Sequence, residues 1–108
     1  MSTTPDVGQQ LMGDLAPRLA ELTDQVLFGD IWQRPQLSAR ERSLATVATL
    51  VALHRTEQLP FHLRRARDNG IDREQLAELI THLAFYAGWP CAASAIAILR
   101  QLDGATAP

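Results

Sequence analysis

The segment "IDREQLAELITHLAFYAG", residues 71–88, has the start, the periodicity and the end of an amphipathic helix. Asp72 as N-cap and Gln75 three residues later form a capping box, in which each side chain satisfies a backbone N–H of the other residue. The apolar positions then recur at spacings of three and four, at Leu76, Leu79, Ile80 and Leu83. Gly88 is expected to end this helix and Pro90 to open the next one, because proline suits a first helical turn.

Two further helices are predicted upstream of this segment. In residues 37–53, "LSARERSLATVATLVAL", Ser38 and Glu41 form a second capping box. The helix that follows is apolar nearly all round, which is typical of a central helix buried by neighbours within the chain or across an interface. Residues 56–69 predict a shorter helix, with Thr56 as a possible N-cap and Gly70 beyond its end.

The N-terminal third has a weaker pattern. An apolar stripe recurs at spacings of three and four, at Leu11, Leu15, Leu19, Leu22 and Val26. Pro17 is expected to divide this stretch into two helical pieces, and Gly29 and Pro35 favour a loop after it.

These patterns define an all-α protein. No alternating strand pattern or hairpin signal occurs, so we expect a compact bundle of about five to six short helices. The 108 residues suit one domain. We place that domain at residues 7–103, with disordered ends at 1–6 and 104–108.

The composition excludes several classes of function. Ten arginines balance twelve acidic residues, and no lysine occurs, so there is no basic block of the kind that nucleic-acid binding needs. No stretch approaches the roughly 18 apolar residues of a membrane span, and "MSTTPDVGQQ" lacks the features of a secretory signal. A single cysteine permits no internal disulfide, which fits a cytoplasmic protein.

Two groups of residues are suited to acid–base chemistry. Glu78, His82 and Tyr86 follow one helical stripe, and they form either a proton relay or a solvated flank. His62 precedes Arg64, Arg65 and Arg67, which together form one cationic cluster. Near these guanidiniums a neutral imidazole is favoured, which suits a base or a donor to an oxyanion; the alternative is an exposed surface histidine.

Other kinds of site have little support. No HxxxH, CxxC, P-loop or dinucleotide glycine pattern occurs, so we expect neither a metal nor a nucleotide cofactor. Cys91, without a partner cysteine, is interpreted as a small residue in the first turn of the last helix, although a helix start can lower the pKa of a thiol.

Residues 28–53 and 62–92 together resemble the carboxymuconolactone decarboxylase family, and the resemblance runs from about residue 22 to 102. Its elements are Trp32 with Arg34, the triplet Arg42-Ser43-Leu44, His62 with Gly70 eight residues later, the acidic helix start at Asp72, and the corner Tyr86-x-Gly88-x-Pro90. The alkyl hydroperoxidase D-like branch of this family carries a CxxC whose positions fall here at Arg55 and Gln58. Both thiols of the peroxidase are missing, so the resemblance is to the decarboxylase branch.

The resemblance implies a cofactor-free decarboxylase of aromatic catabolism that acts on a carboxylated butenolide lactone and assembles as a homo-oligomer, a trimer or hexamer. It also implies roles for single residues. Arg34 and Arg42 would bind carboxylates, and Ser43 would hydrogen-bond the lactone. His62 would stabilise the dienolate oxygen or donate the proton, with His82 and Tyr86 as second-choice proton donors, and an apolar wall would be formed by Trp32, Phe85 and Trp89. Two alternatives stay open. One is a related lyase, isomerase or cyclase on another carbonyl compound in secondary metabolism, and the other is a non-catalytic oligomerisation or ligand-binding module.

Overall fold

The computed structural model describes residues 5–104 and places them in six α-helices. These are Val7–Met12 (α1), Pro17–Glu21 (α2), Ala39–Ala52 (α3), Leu59–Asp68 (α4), Arg73–Ala87 (α5) and Trp89–Gly104 (α6). A π-helical turn, Leu22–Phe28, continues α2, and a 3₁₀ turn spans Ile31–Gln33. No strand occurs within residues 5–104, and the all-α prediction is confirmed. None of the helices in this range is long and apolar enough to cross a membrane.

The chain divides into two compact units, Met1–Ala39 and Arg40–Pro108. The expectation of a single domain over 7–103 stays a prediction. Most of the two ends predicted to be disordered, residues 1–4 and 105–108, lies outside the described residues.

In the first unit, a buried carboxylate holds the start of α1. Asp24 is 7% exposed, and its two carboxylate oxygens accept hydrogen bonds from the backbone N–H groups of Gly8 at 2.6 Å and Gln9 at 3.0 Å. These donors belong to the first turn of α1, where N–H groups have no partner within the helix. A Cβ at Gly8 would lie 2.6 Å from the carbonyl oxygen of Ala20, so only glycine fits this close approach.

Replacing Asp24 with alanine removes both acceptors. We expect the free energy of unfolding to fall by about 1–3 kcal/mol, the usual cost of leaving buried donors unsatisfied. Asp24→Asn keeps one acceptor and should lose less. Urea denaturation measures the change, and Asp30→Ala, at an exposed aspartate of the same unit, is the matched control. Equal losses at the two positions would contradict a stabilising role for the Asp24 bonds.

Pro17 separates two helical pieces, as predicted, because α1 ends at Met12 and α2 begins at Pro17. The apolar stripe on these pieces, in contrast, is not buried. All five of its residues are more than one third exposed, and Leu15 reaches 88%.

The second unit is built around one apolar core from helices α3 to α6. Its fully or almost fully buried members include Val47, Val51, Leu59, Leu63, Ala66, Ile71, Leu76, Ile80, Ala95 and Leu99. Helices α5 and α6 pack against each other most extensively, and α4 also packs on α6.

The predicted ends of α5 are confirmed. The backbone N–H of Gln75 donates to Asp72 Oδ1 at 2.8 Å, and the Gln75 side chain accepts from the Asp72 N–H at 3.0 Å. Gly88 ends the helix at φ +102°, a conformation that side chains disfavour. Pro90 lies in the first turn of α6, as expected.

One expectation for the middle of the chain needs correction. Thr56 is not an N-cap, since α4 begins at Leu59 and its capping position is Gln58, whose side chain makes no capping hydrogen bond. The residues between α3 and α4 form a turn instead, with His54 at φ +58°. Within the chain, helix α3 is exposed at Ala45, and Leu53, the residue that follows the helix, is 57% exposed. Burial of these positions across an interface stays a prediction.

Candidate active site

One face of α4, together with its C-terminal capping residue Asn69, carries three half-buried polar residues. His62, Arg65 and Asn69 stand at positions i, i+3 and i+7, which share one side of a helix. Arg64 and Arg67 are exposed. Arg65 is therefore the one arginine of the cationic cluster that is half-buried on the same face as His62.

The surroundings of His62 favour a neutral imidazole. Burial lowers the pKa of His62 from its ordinary value of 6.5, and the positive charge of Arg65 lowers it further. Nδ1 is shielded from solvent, and the Phe61 ring meets the imidazole edge-on with centroids 5.0 Å apart. Burial also lowers the pKa of Arg65, while the Asp68 carboxylate acts in the opposite direction. Because a guanidinium stays protonated in proteins, the site pairs a neutral imidazole with a cation at neutral pH.

Helix α3 meets this face through Ser43. Its side chain has no exposed surface, and its Oγ accepts a hydrogen bond from Asn69 Nδ2 at 3.0 Å. Arg42 precedes it on the chain and is half-buried, with its Nε shielded from solvent. Since Ser43 is enclosed, contact with a ligand requires its neighbours to move, and its hydrogen bond to a lactone stays a prediction.

The second-choice proton donors lie on the surface. His82 and Tyr86 are exposed, with ring centroids 5.0 Å apart, and Glu78 one turn earlier is exposed as well. In the chain alone these three side chains form an exposed stripe, and their part in proton transfer stays a prediction.

The predicted apolar wall is only partly assembled. Phe85 and Trp89 meet edge-to-face at a centroid distance of 5.5 Å, and both are exposed. They line a groove of about 320 Å³ between α5 and α6, to which neither His62 nor Tyr86 contributes. The structure thus does not bring these aromatic residues and His62 together in that groove.

Trp32 and Arg34 belong to the first unit. Trp32 is buried against Phe28, with ring centroids 6.0 Å apart, and Arg34 is exposed just after the 3₁₀ turn. Their participation in the site stays a prediction.

Cys91 is half-buried, and its Sγ lies 4.0 Å from the carbonyl oxygen of Ala52 at the end of α3. This position agrees with a small packing residue. Within residues 5–104, no three His, Cys, Asp or Glu side chains are grouped as a metal site would need.

Two residues of the α4 face were missed by the sequence prediction of the site. Arg65 could not be separated from its neighbours in the cationic cluster, because burial alone distinguishes it. Asn69 did carry a signal, since its spacing of seven from His62 places both on one helical face.

The sequence profile of the carboxymuconolactone decarboxylase family matches residues 17–101 of this chain. The chain belongs to this family. Over 75 residues it is 40% identical to a 4-carboxymuconolactone decarboxylase of Acinetobacter baylyi, which covers 69% of the chain and 56% of that relative. Over 81 residues it is 31% identical to the nitrosuccinic acid decarboxylase npaB of Metarhizium robertsii, which covers 75% of the chain and 57% of that relative.

The chain matches little more than half the length of these two curated relatives. The match to the family profile includes α2 to α5, most of α6 and every residue of the predicted site. Family membership is thus established for the fold, and the roles of the individual residues are proposals.

Proposed function

We propose that this protein is a cofactor-free decarboxylase, a carbon–carbon lyase that converts 4-carboxymuconolactone to 3-oxoadipate enol-lactone and CO₂. The observation that carries the proposal is the half-buried His62, whose lowered pKa keeps the imidazole neutral beside the Arg65 guanidinium. A neutral N–H donor next to a fixed cation suits a reaction in which negative charge develops on an oxygen. The 40% identity to a 4-carboxymuconolactone decarboxylase supports this substrate.

The proposed reaction needs no external electron acceptor. When the bond between the ring carbon and its carboxylate breaks, the electron pair moves through the ring double bond into the lactone carbonyl and gives a dienolate. A proton then adds to ring carbon. The protein has to bind the substrate carboxylates, stabilise the dienolate oxygen and deliver that proton.

The half-buried residues of α3 and α4 are suited to these tasks. Arg42 binds a substrate carboxylate, and Arg65 adds positive charge beside His62. His62 donates its N–H to the dienolate oxygen. Arg34 remains a proposed carboxylate ligand, and His82 remains a proposed proton donor.

The test is consumption of 4-carboxymuconolactone, followed directly by ultraviolet absorbance with CO₂ release as the second readout. We expect decay of the lactone that is proportional to the protein concentration. If the lactone does not decay and a lactone analogue does not raise the melting temperature, the non-catalytic module becomes the better explanation.

The 31% identity to a nitrosuccinic acid decarboxylase favours a second candidate, a related decarboxylase acting on another activated acid. In nitrosuccinic acid the carbon next to a carboxylate bears a nitro group, which can accept the electron pair as the lactone carbonyl does. Release of CO₂ from nitrosuccinate without decay of the lactone would support this candidate.

We also propose that the catalytic form is a homo-oligomer in the cytoplasm. Assembly is supported by the aromatic residues predicted for the site, Phe85, Tyr86 and Trp89, which are 65–79% exposed in the chain alone. The cytoplasmic location rests on the single cysteine, which requires no oxidising compartment.

A further inference from the structure

A hydrogen bond joins the two helices that carry the half-buried residues of the candidate active site. Asn69, the capping residue at the end of α4, donates through Nδ2 to Ser43 Oγ on α3 at 3.0 Å. Arg42 precedes Ser43 along α3. His62 lies seven residues before Asn69, which is about 10 Å along the axis of α4. The bond therefore connects the helix of the proposed carboxylate ligand to the helix of the proposed donor.

Asn69 is held in place from both sides. Its backbone N–H donates to the carbonyl oxygens of Arg65 at 2.9 Å and Ala66 at 3.2 Å, so the residue continues the last turn of α4. Gly70 then adopts φ +95°, and the N–H of Ile71 returns to the carbonyl oxygen of Ala66 at 3.0 Å. The Ile71 side chain has no exposed surface. The amide that makes the interhelical bond thus belongs to a turn that is anchored in the core.

Ser43 is a polar residue at a position where an apolar one would pack. Its side chain has no exposed surface, and it lies one turn before Val47, which belongs to the core. Folding does not require a hydroxyl there, since replacing both partners of a buried hydrogen bond by apolar groups can be nearly neutral for stability. Apolar contacts are non-directional, whereas a hydrogen bond fixes a distance and an angle. The bond therefore adds a defined rotation of α3 about its axis.

That rotation determines where Arg42 lies. Neighbouring residues of a helix point about 100° apart, so Arg42 turns with Ser43 about the same axis. At a side-chain radius of roughly 5–6 Å, a rotation of about 10° displaces a group by about 1 Å. A misplacement of this size can cost about 10²-fold in rate. Because Arg42 is half-buried with Nε shielded from solvent, its surroundings depend on the same orientation.

We propose that Asn69 is a positioning residue, which through Ser43 sets the orientation of α3 and with it the place of the Arg42 guanidinium. In this role neither Asn69 nor Ser43 touches the substrate, which agrees with the complete burial of Ser43. The effect of Asn69 on turnover rests on the proposed decarboxylase function. Its effect on Arg42 itself can be measured without a substrate.

The first experiment follows the exchange of the Arg42 Nε–H with water by NMR in the full chain. Because this Nε is shielded from solvent, we expect slow exchange in the wild type. In Asn69→Ala the exchange should accelerate at least about tenfold, since α3 is then freer to rotate. The signal is assigned by its loss in Arg42→Gln. Wild-type exchange as fast as at the exposed Arg64, or an unchanged rate in Asn69→Ala, would overturn the proposal.

Thr49→Ala is the matched control for this measurement. Thr49 is exposed on α3, and its hydroxyl donates to the carbonyl oxygen of Ala45 in the same helix at 2.8 Å. The variant removes a side-chain hydrogen bond from α3 without removing a link to α4. It should leave the exchange rate of the Arg42 Nε–H at the wild-type value.

The second experiment tests whether Asn69 acts through Arg42. We expect Asn69→Ala to raise KM for 4-carboxymuconolactone about tenfold, because the carboxylate ligand is misplaced. In the Arg42→Gln background the same change should add less than about twofold, since the group that Asn69 positions is already absent. Equal factors in both backgrounds would contradict the proposal, because Asn69 would then act independently of Arg42.

The double variant Ser43→Ala/Asn69→Ala separates positioning from stability. Asn69→Ala leaves the buried Ser43 hydroxyl without its donor and should lower the melting temperature, and removing both polar groups should restore most of it. We expect KM to stay raised in the double variant, because the link is still absent. Recovery of KM together with the melting temperature would reduce the bond to a structural role and overturn the proposal.

Failure of this inference and failure of the proposed function give different results. A wild type that does not consume the lactone contradicts the proposed function, and the exchange of the Arg42 Nε–H still decides whether Asn69 positions that side chain. A wild type that consumes the lactone, with KM raised in Ser43→Ala and unchanged in Asn69→Ala, contradicts the positioning role. Ser43 would then contact the lactone itself, and the decarboxylase function would stand.

Discussion

Replacing His62 with alanine is expected to lower kcat for 4-carboxymuconolactone by about 10²–10⁴, the usual contribution of a positioned acid–base group. The imidazole is half-buried on α4 beside Arg65, and it is the donor proposed for the dienolate oxygen. Because that oxygen becomes negative only during decarboxylation, the loss should appear in kcat more than in KM. Steady-state kinetics by ultraviolet absorbance, with the melting temperature measured in parallel, test this expectation.

His82→Ala is measured beside it, since His82 is the second-choice proton donor and is exposed on α5. It should lower turnover far less than His62→Ala does. If turnover of the lactone by His62→Ala stays within about threefold of the wild type, His62 is not the central group, because such groups contribute much more than that. A large loss of turnover in His82→Ala alone would indicate that His82 on α5, and not His62, is the central group.

The pH dependence follows from the direction of the pKa shift. Since burial and Arg65 hold the pKa of His62 below 6.5, the neutral imidazole predominates at pH 7. We expect kcat/KM to be level at neutral pH and to fall as the pH drops through that lowered pKa. Arg65→Gln should raise the pKa and move the fall to higher pH, and an NMR titration of His62 would show the same displacement. A fall on the alkaline side near neutrality would instead indicate that the imidazolium is the active form.

The same shift affects stability. The folded state disfavours the protonated imidazole, so below pH 6.5 the unfolded chain binds more protons than the folded one. The contribution of His62 to the free energy of unfolding is therefore fully present above pH 6.5 and is lost progressively as the pH falls below it.

Replacing Arg42 with glutamine is the second change for which we expect a large effect. Hydrogen bonds to a charged group contribute about 1.5–3 kcal/mol, which corresponds to a rise in KM of roughly 10- to 150-fold for the carboxylated lactone. Arg42 is half-buried with Nε shielded from solvent, so water does not readily replace the lost guanidinium. Arg42→Lys keeps the charge without the bidentate geometry, so its KM should lie between those of the wild type and Arg42→Gln.

Arg64→Gln is the matched control for Arg42, because Arg64 is exposed on the solvent side of α4. It removes the same charge from the second unit and should leave KM unchanged. Similar increases in both variants would mean that the lactone responds to the overall charge, and would contradict a specific carboxylate contact at Arg42.

Helix ends that are set by capping or helix-breaking residues were predictable from the sequence. The capping box at Asp72, the break at Pro17 and the stop at Gly88 act within a few residues, and all three are confirmed. The prediction of Thr56 as an N-cap was wrong, because a favourable residue type does not by itself determine where a helix begins. Helix α4 begins three residues later, at Leu59. Periodicity did not reveal burial either, since the stripe that includes Leu11 and Leu15 is exposed.

The site was only partly predictable for a related reason. His62 could be selected by residue type and by resemblance, whereas the burial that lowers its pKa depends on tertiary packing. The contact between Asn69 and Ser43 joins residues 26 positions apart, which no local pattern encodes. The sequence also could not show that Phe85 and Trp89 face a groove without His62.

The single residue between α5 and α6 has a consequence for how the chain folds. Gly88 joins two helices of 15 and 16 residues, so bringing them together closes almost no loop and loses little chain entropy. Contacts that are near in sequence form fastest. The hairpin is thus expected to form before α3 reaches the end of α4, and a newly made chain would present Phe85 and Trp89 before His62 acquires its final surroundings.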